Sequence, residues 1–247
     1  MQTGSHVLVV GGTRGIGRAL VKTLASEGKV VSVIGRRPPV DIDQDDVHFW
    51  TVDVTDQPNL DRALTEIIGR NGKLTAVVFL QRLRAEGDKW EAEVLTSLTA
   101  TKRMIERLSD EFVDGQDKSI VVVGSVASDH VLDDQDVGYH AAKAGLNAMC
   151  RYYAVRLGPQ GIRVNAVSPG TTLKEENREF YSNSPGLLAM FNQTVPLGRL
   201  GNDSEVADVI SFLAGPKSSF VTGQNIIVDG GINLRSADAL ARKLTSN

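Results

Sequence analysis

The sequence predicts a single α/β domain spanning residues 1–247, built on a doubly wound parallel seven-stranded sheet with helices on both faces. Short β-branched runs alternate with longer amphipathic segments, a pattern typical of βαβ units. A glycine-rich turn follows the first of these runs. The 247 residues are 41% hydrophobic and 23% charged, which supports one sizeable core.

The seven predicted strands are short runs rich in valine and isoleucine. In chain order they are His6–Val10, Val30–Ile34, Val47–Thr51, Ala76–Leu80, Ser119–Val123, Arg163–Val167 and Asn225–Val228. The predicted helices between them begin near Gly15, Gln57, Lys89, Asp136 and Ser204. The side chains that we predict to cap helices are Asp56, Asp88, Asp136 and either Asp203 or Ser204.

Charge and composition exclude several classes of protein. With 27 basic and 30 acidic side chains the net charge is −3, so a nucleic-acid or anionic membrane partner is not expected. The apolar runs are too short to span a bilayer and no leader pattern follows Met1, so we expect a cytoplasmic protein. Cys150 is the only cysteine and the four histidines lack ligand spacing, so no metal site is expected.

Two segments lack a clear pattern of strand or helix. Thr171–Val195 is long for a connection in an α/β domain, which predicts a substrate lid at 171–195; the alternative is a surface excursion with one or two short helices. Ile232–Asn247 forms a C-terminal extension, in which Ser236 caps an amphipathic Ala237–Leu244 segment. That extension either docks on a partner subunit or frays in solvent.

The turn after the first strand reads Gly11-Gly12-Thr13-Arg14-Gly15-Ile16-Gly17. Its glycines allow a tight turn, close approach of the backbone to a pyrophosphate and close packing of helix on strand. The helix that begins there directs free N–H groups at an anion. This arrangement predicts a Rossmann-type dinucleotide site.

Five further motifs appear in a fixed order. They are Asp53-Val54-Thr55-Asp56, Gly124-Ser125, Tyr139-His140-Ala141-Ala142-Lys143, the run Gly161–Gly170, and a C-terminal set that ends in Val228-Asp229-Gly230-Gly231. With the glycine turn they resemble the short-chain dehydrogenase/reductase family over nearly the whole chain. The resemblance implies a nicotinamide cofactor held by Gly11, Thr13, Arg14, Gly15, Ile16, Gly17, Arg36, Arg37, Asp53, Val54, Tyr139, Lys143, Pro169 and Gly170.

The choice between the two nicotinamide cofactors depends on charge. An NAD site usually places a carboxylate at the end of the second strand, whereas a 2′-phosphate requires cations. Here Gly35 stands at that position, followed by Arg36 and Arg37, and Arg14 lies in the phosphate loop. We therefore predict NADP(H), the alternative being that Arg36 and Arg37 are solvated turn residues.

The resemblance also implies a catalytic group. Tyr139 and Lys143 lie four residues apart on one helix and share a face, so the ammonium can stabilise the phenolate of Tyr139, the acid/base. Ser125 is expected to bind the substrate oxygen. Tyrosine and lysine four apart also occur on ordinary solvated faces, and the surrounding motifs favour the catalytic interpretation.

Two positions depart from the family pattern. Where the family usually carries Asn-Asn-Ala-Gly, this chain has Phe79-Leu80-Gln81-Arg82. The asparagine that holds a relay water is expected seven residues after Trp90, where Ser97 stands; we include Ser97 among the catalytic candidates, the alternative being slow catalysis. Arg82 and Arg84 can bind an anionic substrate group, or they are solvated or pair with Glu86 and Asp88.

Together these features predict an NADP(H)-dependent oxidoreductase that reduces a ketone to a secondary alcohol, or the reverse. The alternatives are a catalytically weak dinucleotide-binding sensor or assembly subunit, and a dehydratase or epimerase of the same fold. The family resemblance also implies a homo-oligomer, a tetramer or dimer. We expect Cys150 to be a buried small hydrophobe and His140 to be structural or to line the substrate site.

Overall fold

A computed structural model describes residues 5–38, 45–83, 89–115, 117–173 and 175–245. Seven strands form one sheet, and their order is β3-β2-β1-β4-β5-β6-β9 with every pair parallel. The strands of this sheet are β1 (His6–Val10), β2 (Val30–Gly35), β3 (Val47–Thr51), β4 (Ala76–Phe79), β5 (Lys118–Val123), β6 (Ile162–Pro169) and β9 (Asn225–Val228). The predicted doubly wound parallel fold is confirmed.

Helices cover both faces of this sheet. The helices of the described residues are α1 (Gly15–Ser26), α2 (Gln57–Asn71), α3 (Trp90–Glu93), α4 (Ala100–Leu108), α5 (Val137–Leu157), α6 (Glu175–Ser182), α7 (Pro185–Thr194), α8 (Asp203–Ala214) and α9 (Ala237–Thr245). Of these, α1 and α8 cover one face and α2, α4 and α5 the other. A π-helical segment, Val94–Thr99, joins α3 to α4. Two further strands of two residues each, β7 (Thr172–Leu173) and β8 (Gly201–Asn202), pair with each other.

The alternation of side chains along β1 explains the two layers of core. Leu8 and Val10 pack with α2, α4 and α5 on one face, while Val7 and Val9 pack with α1 and α8 on the other. Both faces are buried because crossover helices cover a parallel sheet on each side. The continuous apolar runs that predicted the strands follow from this double burial.

Several predicted boundaries differ from the structure. β4 ends at Phe79 rather than Leu80, whereas β6 is longer than predicted and includes Pro169. Neither Asp203 nor Ser204 caps α8, because Asn202 holds that position in a reciprocal pair with Glu205. Asp56 caps α2 as predicted by accepting from the N–H of Asn59, and Asp88 lies outside the described residues.

The two unpatterned segments contain helices. The described part of residues 171–195 contains β7, α6 and α7. The described part of the C-terminal extension contains α9, where Ser236 accepts a hydrogen bond from the N–H of Ala239. Within the described residues, no helix is both long enough and apolar enough to span a membrane.

Candidate active site

The sheet reverses its strand order between β1 and β4, and a cleft of about 1030 Å³ opens at the carboxyl ends of these strands. Open α/β sheets bind ligands at such a reversal point. Almost every predicted site residue lines the cleft: Gly11, Thr13, Arg14, Gly15, Ile16, Gly17, Arg36, Arg37, Asp53, Val54, Ser125, Tyr139, Lys143, Pro169 and Gly170. Ser97 is the exception, since the described wall on its helix is formed by Ala92, Leu95 and Thr96.

The glycine turn between β1 and α1 leaves space that side chains would fill. Gly11 has a φ of +90°, and its N–H donates to the carbonyl of Ile34 at 2.8 Å. A Cβ on Gly17 would lie 2.3 Å from the carbonyl oxygen of Gly11. The turn therefore requires glycine at both positions, and the first N–H groups of α1 face an open cradle suited to a pyrophosphate.

The end of β2 lacks both a carboxylate and the room for one. A Cβ on Gly35 would lie 2.6 Å from the Thr13 methyl group, so the phosphate loop itself closes this position. Arg36 follows in an exposed position. Burial acts to raise the pKa of Asp53, but hydrogen bonds from Thr55 and the charge of Arg36 outweigh it, so the pKa is lowered. Asp53 is therefore an anion beside the cationic end of the cleft.

Ser125, Tyr139 and Lys143 line the same cleft. Ser125 follows β5, and its hydroxyl accepts from the N–H of Ala127 at 3.1 Å. Lys143 is only 5% exposed; its Nζ donates to the carbonyl of Val123 at 3.0 Å and lies 5.5 Å from the Tyr139 ring centroid. The carbonyl at the end of β5 thus holds a buried ammonium beside the phenol.

Comparison with known proteins agrees with this geometry. Residues 10–233 match the family model described as enoyl-(acyl carrier protein) reductase. The chain is 33% identical over 238 residues to the 3-oxoacyl-[acyl-carrier-protein] reductase MabA of Mycobacterium tuberculosis, with 92% of each chain covered. It is 31% identical over 248 residues to the isoepoxydon dehydrogenase patN of Penicillium expansum, covering 94% of this chain and 95% of the relative.

A similar solved structure is the apo-form glucose dehydrogenase of Caenorhabditis elegans. Its TM-score is 0.81 at 28% identity, covering 95% of this chain and all of that one. The chain belongs to the short-chain dehydrogenase/reductase family. It is an oxidoreductase of that family, whose members bind a nicotinamide dinucleotide.

The cleft is also lined by Leu80, Gln81 and Arg82, which the sequence aligns with the Asn-Asn-Ala-Gly motif of short-chain dehydrogenases/reductases. Gln81 Nε2 donates to Thr101 Oγ1 at 2.6 Å, which ties the end of β4 to α4. Gln81 Oε1 is buried without a hydrogen-bond partner. Arg82 lies beside Tyr139, with its Cζ 5.2 Å from the ring centroid, and Arg84 lies outside the described residues.

Ser97 lies in the π-helical segment, where it is only 1% exposed. Its hydroxyl donates to Glu93 Oε1 at 2.6 Å, and its carbonyl accepts from Thr101 Oγ1 at 2.7 Å. π-helical turns inside α-helices occur frequently at functional sites. The structure therefore places the predicted relay residue one layer behind the cleft wall, bonded to a carboxyl group.

Sequence reasoning missed Glu93, which is 4% exposed and thus a buried acid. The sequence did contain a signal for this burial. Glu93, Ser97, Ala100 and Met104 are spaced three or four residues apart, which puts Glu93 on the buried face of the helix. Tyr181 and Phe191 of the predicted lid also line the cleft, although the segment showed no clear pattern. Burial, and then the charge of Asp134, raises the pKa of Tyr181.

The remaining conspicuous side chains are structural. Cys150 is buried, and burial raises its pKa to about 12, which leaves the thiol unreactive at neutral pH. His140 Nε2 accepts from the N–H of Leu132 at 2.9 Å, which ties α5 to the preceding loop. Across the described ranges, no group of three or more His, Cys, Asp or Glu residues is arranged to hold a metal ion.

Proposed function

We propose that this protein is an NADP(H)-dependent reductase that converts a ketone to a secondary alcohol, or catalyses the reverse, with Tyr139 as acid/base. The observation that carries the proposal is the convergence of Ser125, Tyr139 and Lys143 on the cleft that the glycine turn also lines. When bound there, the dihydronicotinamide supplies a hydride. The chain itself must then deliver a proton to the substrate oxygen.

The proton source is the Tyr139 hydroxyl. Proton transfer from a phenol is effective only when the phenolate left behind is stabilised. The Lys143 ammonium, buried and fixed by the Val123 carbonyl, provides that positive charge without needing to reorganise. Ser125, at the end of β5, binds the substrate oxygen and orients it toward Tyr139.

The proton that Tyr139 gives up must be replaced from solvent. We align Ser97 with the family's relay asparagine and propose that it lies in this proton path together with Glu93. A serine hydroxyl passes a proton only if a second group exchanges it, and the Glu93 carboxyl at 2.6 Å is such a group. Serine is shorter than the asparagine it is aligned with, and the Glu93 carboxyl supplies the second proton-exchanging group that Ser97 alone lacks.

Two features of the cleft at the end of β2 support the proposed preference for NADP(H): a missing carboxylate and a group of arginines. Gly35 offers no carboxylate to the ribose diol, and Thr13 occupies the space into which an acidic side chain would extend. Arg14, Arg36 and Arg37 line the same end of the cleft, where a 2′-phosphate requires positive charge.

The relatives support reduction of an oxo group. MabA is named a 3-oxoacyl-[acyl-carrier-protein] reductase, and it is 33% identical to this chain over 92% of both chains. We propose a small-molecule carbonyl or alcohol as substrate. Tyr181 and Phe191 line the cleft, which supports a lid role for residues 171–195.

We also propose that the chain assembles as a homo-oligomer, a dimer or tetramer. Val137, Tyr152 and Val155 of α5 are strongly exposed, at 73%, 60% and 77%. Apolar and aromatic side chains on one helix favour burial against a second copy. Light scattering at micromolar concentration tests this, and a 26.6 kDa particle contradicts it.

The proposed activity is tested with a panel of ketones, followed by loss of NADPH absorbance. We expect turnover by the natural chain and a fall of about a hundredfold or more in Tyr139→Phe, because that variant lacks the proton donor but keeps the ring. NADPH affinity, measured by fluorescence titration, should be equal in the two proteins. Equal turnover in the two proteins contradicts the assignment of Tyr139.

A second candidate is a dinucleotide-binding protein with little catalysis, acting as a sensor or assembly subunit. Two observations favour it: Gln81 and Arg82 fill positions of a missing family motif, and Ser97 lies behind the cleft wall. Tight NADPH binding with no turnover across the panel supports this candidate over the reductase.

A further inference from the structure

Arg82 is held at a fixed place between the glycine turn and Tyr139. A Cβ on Gly11 would lie 2.7 Å from the backbone nitrogen of Gln81, so the chain before Arg82 is pressed against the turn. The Gln81 side chain is bonded to Thr101, which anchors the same residue to α4. The backbone at Arg82 therefore has little freedom, and its side chain extends over the reacting end of the cleft.

Among the described residues, the Arg82 guanidinium contacts a glutamine side chain and an aromatic ring. Nη2 donates to Gln135 Oε1 at 3.0 Å, and the Gln135 amide nitrogen donates to Asp134 Oδ2 at 3.1 Å, so the glutamine oxygen is turned toward the arginine. The Cζ lies 5.2 Å from the Tyr139 ring centroid. In the part of the chain that the structure describes, no carboxylate lies within ion-pair distance of Arg82.

A guanidinium carries five N–H donors in a planar fork, and Gln135 engages one of its nitrogens. The geometry of this fork matches the two oxygens of a carboxylate. Arg82 is exposed to solvent, so it binds an incoming anion without first losing a buried partner. Its distance from the Tyr139 ring sets where that anion sits relative to the reacting carbonyl.

We propose that Arg82 binds a carboxylate of the substrate, and that this site takes short 2-oxo or 3-oxo carboxylic acids. The inference rests on the proposed function, since Tyr139 marks the position of the reacting oxygen. With the carbonyl oxygen on Tyr139, a carboxylate one or two carbons away reaches Arg82. The neighbouring Lys143 ammonium adds to the positive potential, and Asp134 is the opposing charge on the cleft wall.

The first arm of the test compares acetoacetate with its neutral methyl ester as substrates. We expect the natural chain to prefer the acid about tenfold in kcat/KM, the range for one charge-assisted contact at an exposed site. Arg82→Gln should abolish this preference while leaving the Kd for NADPH unchanged. Arg82→Lys should retain part of it, because it keeps the charge but loses the fork.

Arg103→Gln is the matched control. Arg103 also donates to a glutamine oxygen, that of Gln57 at 3.3 Å, but it does not line the cleft. The acid-to-ester ratio in this variant should equal that of the natural chain. A ratio of one or less in the natural chain, or an unchanged ratio in Arg82→Gln, overturns the proposal.

The second arm measures binding of acetoacetate and methyl acetoacetate to the protein loaded with NADP⁺, by calorimetry. No hydride is available in this complex, so the result is independent of turnover. We expect tighter binding of the acid, lost in Arg82→Gln. If that pattern holds while neither compound is reduced by NADPH, the result contradicts the proposed reductase function and supports carboxylate binding by Arg82. If both compounds are reduced and are bound with equal affinity, the result supports the proposed reductase function and contradicts carboxylate binding by Arg82.

Discussion

Replacement of Ser97 by alanine separates a structural role of the Ser97–Glu93 pair from a role in proton transfer. Both side chains are buried, and the hydroxyl donates to the carboxyl group at 2.6 Å. Removing the donor leaves a buried acceptor without its partner, which costs about 1–3 kcal/mol. For a chain of this size that loss lowers Tm by about 2–12 °C, at roughly 2–4 °C per kcal/mol.

The relay role predicts a second effect of Ser97→Ala that the lost hydrogen bond does not produce. If protons pass through Ser97, kcat falls and its pH dependence changes, while the KM for NADPH stays constant. Glu93→Gln is the matched variant, since its amide oxygen still accepts from Ser97 but cannot take up a proton. We expect Glu93→Gln to keep most of the stability and to show the altered pH profile.

Two assays decide the outcome, urea unfolding and kcat measured between pH 6 and 9. A loss of stability below about 0.5 kcal/mol in Ser97→Ala would refute the energetic argument from the buried bond. A pH profile of kcat that is identical in the natural chain and both variants removes Ser97 and Glu93 from the proton path. In that case the pair only fixes the helix behind the cleft.

Three other predictions follow from the site and the core. Arg36→Ala should weaken NADPH binding about tenfold to a hundredfold and leave NADH binding unchanged, because only the 2′-phosphate needs the charge; equal loss for both cofactors contradicts this. Lys143→Ala should reduce both turnover and NADPH affinity, and an effect on only one of them contradicts its double role. Burial lowers the pKa of His6, so the unfolded chain binds the proton first and unfolding free energy should fall as pH drops below 6.5. The urea midpoint at pH 5 and 7.5 measures this loss, which should be smaller in His6→Gln.

The strands along the chain and the cleft lining by the main candidate residues could be predicted because both depend on local patterns. Parallel strands buried on two faces have continuous apolar sequences, and their carboxyl ends meet at one edge of the sheet. The glycine turn, Ser125, Tyr139 and Lys143 each follow such a strand or begin a helix beside it. Knowing the strands was therefore enough to bring these residues to one cleft.

The helix caps and the lid segment were less predictable. Asn202 rather than Asp203 or Ser204 caps α8, because a reciprocal bond with Glu205 favours that register among three adjacent capping residues. In residues 171–195, α6 and α7 are short and packed partly over an open cleft. Tyr181 of α6 and Phe191 of α7 line the cleft. Because apolar side chains of these helices face the cleft, the sequence does not show a periodic pattern with a single face buried in the core.

The two departures from the family pattern both lie beside Thr101. Gln81, in place of the strand-four motif, donates to Thr101; Thr101 donates to the carbonyl of Ser97; and Ser97, in place of the relay asparagine, donates to Glu93. Counted along the sequence they appear as two independent losses, since residues 81 and 97 lie on different elements. The bond from Thr101 reaches Ser97 only at its backbone carbonyl, which any residue at position 97 presents. The side chains therefore form two separate pairs, Gln81 with Thr101 and Ser97 with Glu93. The two departures that the sequence predicts are thus neighbours in space, but each side chain makes its own buried hydrogen bond and neither depends on the other.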